Sequence, residues 1–169
     1  SGTTVRRVLH RNGRVVGIEL DDRTLDASTV VVAAGAWTSL IEGVPLPSNA
    51  VEPARGQMIA LDLPARPFAP WVLSDRGYLV ARAGGRVLVG ATVERVGFDK
   101  SVTAGGVHSL LGAALDLFPA FAGAALAETW AGLRPDSQEP LIGPTAIGGL
   151  PVAAGAQRRN LYFDHVQAE

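Results

Sequence analysis

The chain has 169 residues, 47% hydrophobic and 18% charged, which is enough apolar material for a packed core and the size of one domain or parts of two. A net charge of −1 without a basic run gives no electrostatic footprint for nucleic acid, and no apolar stretch approaches the roughly 20 residues of a membrane helix or opens the chain as a signal peptide. Zero cysteines exclude disulfides and thiolate chemistry, and His10, His108 and His165 are too scattered for a metal cluster. These features predict a cytoplasmic protein that binds neither nucleic acid nor membrane. Ser1-Gly2, without an initiator methionine, reads as the start of a segment of a longer chain.

In chain order, residues 4–11 and 14–20 are β-rich runs around Asn12-Gly13, the strongest short hairpin signal, and Asp21-Asp22-Arg23 turns the chain toward Thr24-Leu25. A small meander is expected. Val30-Val-Val-Ala-Ala-Gly35 is a continuous apolar run ending in glycine, the pattern of a parallel strand covered on both faces. Pro45, Pro47 and Pro53 then break the chain, which predicts a domain boundary near residue 48 before a strand resumes over residues 57–61. Residues 77–82 and 86–92 flank Ala83-Gly84-Gly85 as a second hairpin, in which alternation puts Tyr78 and Val80 on one face.

Val107, Leu110, Leu111, Ala114, Leu115 and Phe118 repeat at helical spacing, with Thr103 able to cap the start and Pro119 to stop the run. That stripe is core packing. Residues 125–133 read as a strand returning to Arg134, and Leu150-Pro-Val-Ala-Ala-Gly155 is a second buried run ending in glycine. Arg134 stands in Trp130-Ala-Gly-Leu-Arg-Pro135, where the following proline stiffens the backbone. A guanidinium so held suits a bidentate grip on a carboxylate, while on its own residues the solvated arginine at a strand end is the better reading, since most arginines are solvated.

Val30-Val-Val-Ala-Ala-Gly-Ala-Trp37, Val51-Glu-Pro-Ala-Arg-Gly-Gln-Met58, Gly77-Tyr-Leu-Val-Ala-Arg82, Val89-Gly-Ala-Thr-Val-Glu94, Trp130-Ala-Gly-Leu-Arg-Pro135 and Pro140-Leu-Ile-Gly-Pro144 follow one another in an order that resembles the glycine oxidases of thiamine biosynthesis. These belong to the D-amino acid oxidase-like, FAD-dependent flavoproteins. The resemblance covers about residues 4 to 158 and implies an α+β architecture, with partial FAD-binding domain strands plus an antiparallel-sheet substrate domain. It assigns residues 1–48 to the FAD-binding domain, 49–134 to the substrate domain with one helix, and 135–169 to a return into the FAD-binding domain with an atypical end.

The resemblance also implies roles. Arg134 matches the arginine that grips the substrate carboxylate, Tyr78 a tyrosine beside it, and Val93 a pocket wall. Val5, Ala34, Gly35, Trp37, Gly155 and Arg158 fall at cofactor-side positions, with Arg158 also near substrate. Without the family, Tyr78 reads as a core aromatic and Arg158 as a solvated loop arginine. The implied reaction is FAD-dependent oxidation of glycine or a small amino acid to the imino acid, with oxygen giving hydrogen peroxide; the cofactor carries the hard step and the protein orients the α-carbon.

The family's Gly-x-Gly-x-x-Gly turn, which holds the FAD pyrophosphate at a helix N-terminus, has no counterpart in these 169 residues. The chain is therefore expected not to bind FAD usefully by itself, and either to self-associate or to work with a complementary N-terminal FAD-binding segment. The alternatives are a catalytically dead remnant or interaction module, or a related sarcosine oxidase or D-amino acid dehydrogenase. The lack of cysteine removes a flavin thioether tether from this segment and counts against the sarcosine oxidase.

Overall fold

The computed structural model describes residues 2–69 and 71–155. The chain divides into two compact units, one made of residues up to Pro53 and from Arg134 onward, the other of Ala54–Leu133.

The first unit opens with the expected meander: β1 (Val5–Arg11), β2 (Arg14–Leu20) and β3 (Thr24–Asp26) pair in sequence order, antiparallel throughout. Asn12 and Gly13 take φ of 50° and 73°, the left-handed pair that lets a two-residue turn follow the strand twist. Val8 and Val15 point inward and pack with Val32, Val51, Leu150 and Val152. A second ribbon pairs β9 (Leu141–Pro144) with β10 (Pro151–Ala154).

Two sequence expectations need correction here. The run from Val30 to Gly35 forms no regular strand; it makes a single parallel bridge, Val32 to Val152, and Val31 is 62% exposed. The parallel direction is as expected, carried by Val32 N–H donating to Pro151 O (3.0 Å) and Ala153 N–H to Val32 O (2.9 Å). The residues from Leu150 to Gly155 are likewise not covered on both faces: Val152 and Ala154 are buried while Ala153 is exposed. The run at Leu150 lies between β9 on one side and Val32 on the other, yet its alternate residues are exposed, so one face is covered and the other is not.

The second unit is built on a five-stranded sheet in the order β5-β6-β7-β4-β8, antiparallel from β5 through β4. Its strands are β4 (Glu52–Asp62), β5 (Trp71–Ser74), β6 (Gly77–Ala81), β7 (Arg86–Gly90) and β8 (Ala125–Asp136). The strand expected over residues 57–61 is thus longer at both ends, and β5 is an additional strand. Alternation sorts the side chains: Ile59, Leu61, Leu79, Ala81, Val87 and Val89 face the core. Helix α1 (Ala104–Leu117) closes that core with Leu110 and Ala114, and Phe121 follows in a 3-10 turn. Thr103 caps α1 as expected, its Oγ1 accepting from Gly106 N–H at 3.1 Å. Phe118 stacks between Phe68 and Phe121, with ring centroids 5.1 and 5.0 Å apart.

Candidate functional site

The face of the five-stranded sheet turned away from α1 carries the candidate residues of the second unit. Register pairs Met58 with Gly90, Gly90 with Tyr78 and Tyr78 with Leu73, so these four form one row across β4, β7, β6 and β5. The next row holds Ala60, Leu88, Val80 and Trp71. Tyr78 and Val80 share this face, and the surface is apolar apart from the phenol. The Tyr78 hydroxyl donates to Met58 Sδ at 3.7 Å, and its ring lies over Gly90, where a Cβ would stand 2.8 Å from both Cζ and the hydroxyl oxygen.

The same face continues along the sheet to an ion triad. Arg86 donates to Asp62 Oδ1 at 3.0 Å and to Glu128 Oε1 at 2.8 Å, tying β7 to β4 and β8. The hydrogen bond from Arg86 holds Asp62 below its ordinary carboxylate range. Arg134 lies near the end of β8 and is counted with the first unit. Arg134 is half-buried, as is Pro135 after it.

A polar cluster that the sequence reading did not single out lies at the other end of β4. Arg55 is 4% exposed and Gln57 is fully buried. Arg55 donates through Nη2 to Glu94 (2.5 Å) and through Nη1 to Asp99 (2.6 Å) and Ser101 Oγ (3.0 Å). The Gln57 amide donates to Glu94 Oε1 (2.7 Å) and Thr103 Oγ1 (3.0 Å), and its oxygen accepts from Thr103 N–H (2.8 Å). Hydrogen bonds from the Thr92 hydroxyl, then from Arg55, hold the Glu94 carboxyl below its usual range; the Ser101 backbone N–H does the same for Asp99. The bond to Glu94 in turn raises the Arg55 pKa. A readable signal existed: Arg55 and Gln57, like Thr92 and Glu94, are two residues apart, so each pair shares one face of an extended segment. Val93, between the latter two, is 62% exposed.

In the first unit, Ala34, Gly35 and Trp37 fall on one turn. The Gly35–Leu40 3-10 helix follows Ala34, whose carbonyl accepts from Trp37 N–H at 3.0 Å, and Gly35 O accepts from the buried Thr38 hydroxyl at 2.8 Å. The parallel bridge of Val32 to Val152 brings the ends of two segments together, since Gly35 and Gly155 each lie three residues further on. Backbone at the carboxyl ends of adjacent parallel segments is where α/β folds receive ligands. Gly155 O accepts from Ser137 Oγ at 2.8 Å. Val5 begins β1 opposite Leu20. Arg158 lies outside the described residues. Among the described residues no group of three or more His, Cys, Asp or Glu could hold a metal, and no helix is long and apolar enough to cross a membrane.

An apolar sheet face with one phenol and a separate unit with parallel segment ends fit a class in which a bound organic cofactor does the chemistry. The family profile of FAD dependent oxidoreductases matches residues 1–163, and the chain belongs to that family. Within it, the chain is similar to the glycine oxidase of Pseudomonas putida, 42% identical over 160 residues that cover 90% of this chain and 43% of the relative. It is 35% identical to the bifunctional protein ThiO/ThiG of Synechocystis sp., over 99% of this chain and 26% of that one. The crystal structure of glycine oxidase from Geobacillus kaustophilus superposes with a TM-score of 0.82 at 32% identity, covering 90% of this chain and 42% of that one. The mixed, mostly antiparallel architecture is thus that of the glycine oxidases, and the chain spans less than half the length of these relatives.

Proposed function

We propose that this chain supplies the substrate-binding half of an FAD-dependent oxidase that converts glycine or a similarly small amino acid to the imino acid, with oxygen reduced to hydrogen peroxide. The observation that carries the reading is the row Met58, Gly90, Tyr78 on the open sheet face, in a chain 42% identical to a glycine oxidase. Around that row the face is apolar, which suits contact with a flavin ring. Ala54–Leu133 is the substrate unit in this reading, and the unit ending at Pro53 and resuming at Arg134 is the FAD-domain part.

The residues fit the ring end of the cofactor better than its phosphate end. Ala34, Gly35 and Trp37, with Gly155, would lie along FAD at the paired segment ends, and Val5 would lie further along the same unit. Arg158 is proposed beside flavin or substrate from its sequence position alone. The pyrophosphate has no glycine-rich turn to receive it in these 169 residues, so the reading includes a complementary FAD-binding segment and an isolated chain without oxidase activity. When bound, FAD supplies the acceptor for the hydride that leaves the α-carbon.

The chain's own residues orient the amine. Arg134 takes the carboxylate in a bidentate, charge-assisted contact, and its rigid setting before Pro135 fixes the direction of that grip. The Tyr78 hydroxyl offers a second donor, and Val93 closes the pocket wall to larger side chains. With no disulfide to keep oxidised, the enzyme is assigned to the cytoplasm. The test is a visible absorption spectrum and a peroxide assay with glycine, on the purified chain alone and after mixing with the FAD-binding segment of a glycine oxidase. The reading expects a colourless, inactive chain and a yellow, glycine-oxidising mixture. A yellow, active chain alone would remove the need for a second segment, and a yellow mixture indifferent to small amino acids would remove the activity.

A further inference from the structure

Between the pairs Met58 with Gly90 and Arg55 with Glu94, β4 advances three residues while the facing segment advances four. One extra residue is inserted there, and a one-residue slip exchanges the faces of everything beyond it. Val87 and Val89 face the core. Regular continuation would send Val93 to that same face and turn Thr92 and Glu94 outward. The structure does the reverse: Thr92 and Glu94 bond to β4 on the core side, and Val93 is exposed.

We infer that Arg55 and Gln57 are positioning residues that select this slipped register and thereby set Val93 on the open face, where it limits the size of the amine accepted. Both backbones are tied in the slipped alignment, Arg55 N–H to Glu94 O (2.8 Å), Glu94 N–H to Arg55 O (2.9 Å) and Thr92 N–H to Gln57 O (3.3 Å). Those bonds alone do not choose between faces, because an unslipped ladder would form as many. The side chains do choose. A nearly buried guanidinium and a fully buried amide need polar partners on the core side, and only the slipped register puts there the Glu94 carboxylate, which accepts from both and from the Thr92 hydroxyl. In the regular register, continued from the Met58–Gly90 pair, Gln57 would meet Ala91 and Arg55 would meet Val93, a buried charge against apolar groups. Asp99, Ser101 and Thr103 complete the hold on the following loop. The role assigned to Val93 rests on the function proposed above; the register claim does not.

The absence of cysteine gives a direct readout, because Val93→Cys introduces the sole thiol. With Arg55 and Gln57 intact, that thiol should react quickly with a maleimide. In the Arg55→Met/Gln57→Leu background it should react several-fold more slowly, while the Leu79 and Val89 amides of the paired β6 and β7 stay protected from hydrogen exchange. If that background loses the sheet protection, Glu94→Gln, which keeps the volume and withdraws the charge, should still slow the thiol. Unchanged reactivity in a folded variant of either kind overturns the inference. In the assembled oxidase the double exchange should raise KM for glycine more than it lowers kcat. Slowed thiol reaction with an unchanged KM would keep the register and remove Val93 from the pocket wall.

Discussion

The phenol ring of Tyr78 lies across Gly90 so closely that any Cβ beneath it would force it to move: a Cβ there would stand 2.8 Å from Cζ and from the hydroxyl oxygen, and 3.0 Å from Met58 Cε. Gly90→Ala should therefore lift the ring off the sheet. Ring and thioether are side-chain tips that can yield, so melting temperature should change little while KM for the amine rises in the assembled enzyme. Unchanged kinetics would show that the ring's position is immaterial to the substrate.

Tyr78→Phe is the finer probe. The hydroxyl's thioether contact is weak, so its removal should cost little stability, whereas a substrate-facing donor should cost roughly 1 kcal/mol in kcat/KM. A sharp fall in melting temperature with normal kinetics would place Tyr78 among the structural aromatics.

Gln57 and Gly106 give opposite signs to two substitutions that look alike. Gly→Ala within a helix ordinarily stabilises by up to about 1 kcal/mol, and Gly105→Ala, with open space around its Cβ, should approach that gain. Gly106→Ala would put a methyl 2.3 Å from Oε1 of the buried Gln57, so it should destabilise. Gln57→Leu leaves Thr103 N–H without its acceptor and should cost about 1–3 kcal/mol. Urea unfolding midpoints at constant m-value order these variants.

Acid should loosen the cluster before it unfolds the meander. The folded pKa of Glu94 lies below its ordinary 4.5 and that of Asp99 below 3.8. Their contribution is therefore complete above those values and is lost as pH falls through the folded pKa of each. Stability measured from pH 6 downward should decline from about pH 4.5, and Glu94→Gln should be less stable at pH 6 yet flatter below 4.5. Parallel curves for the two proteins would deny Glu94 a stabilising charge.

Much of this was legible in the sequence where the signal is local. Asn12-Gly13 dictates a left-handed turn, and the stripe from Val107 to Phe118 dictates a helix that Thr103 can cap. What failed depended on neighbours: the apolar run at Val30 reads as a strand buried on both faces, but one parallel bridge is all it makes. The cluster at Arg55 was legible only as two polar pairs, not as one cluster. The partners in the cluster lie 35 to 46 residues apart, and the slip that joins them leaves no mark in the alternation of either segment.

Exposed apolar side chains predict the behaviour of the isolated chain. Val31, Leu40, Leu73 and Ile142 are each more than half exposed, and apolar patches beyond a few hundred Å² rarely stay bare in a soluble monomer. Light scattering on a size-exclusion column should find self-association, reduced when an FAD-binding segment is added. A monodisperse monomer alone would contradict this.

The carboxylate grip assigned to Arg134 is tested most directly by titrating glycine into the assembled oxidase without oxygen and following the loss of the flavin's visible absorption. Arg134→Leu should keep the flavin spectrum and need far more glycine, equivalent to about 2–5 kcal/mol of lost binding if the carboxylate stays buried and unpaired. Reduction by glycine at the same concentration in both proteins would contradict the account.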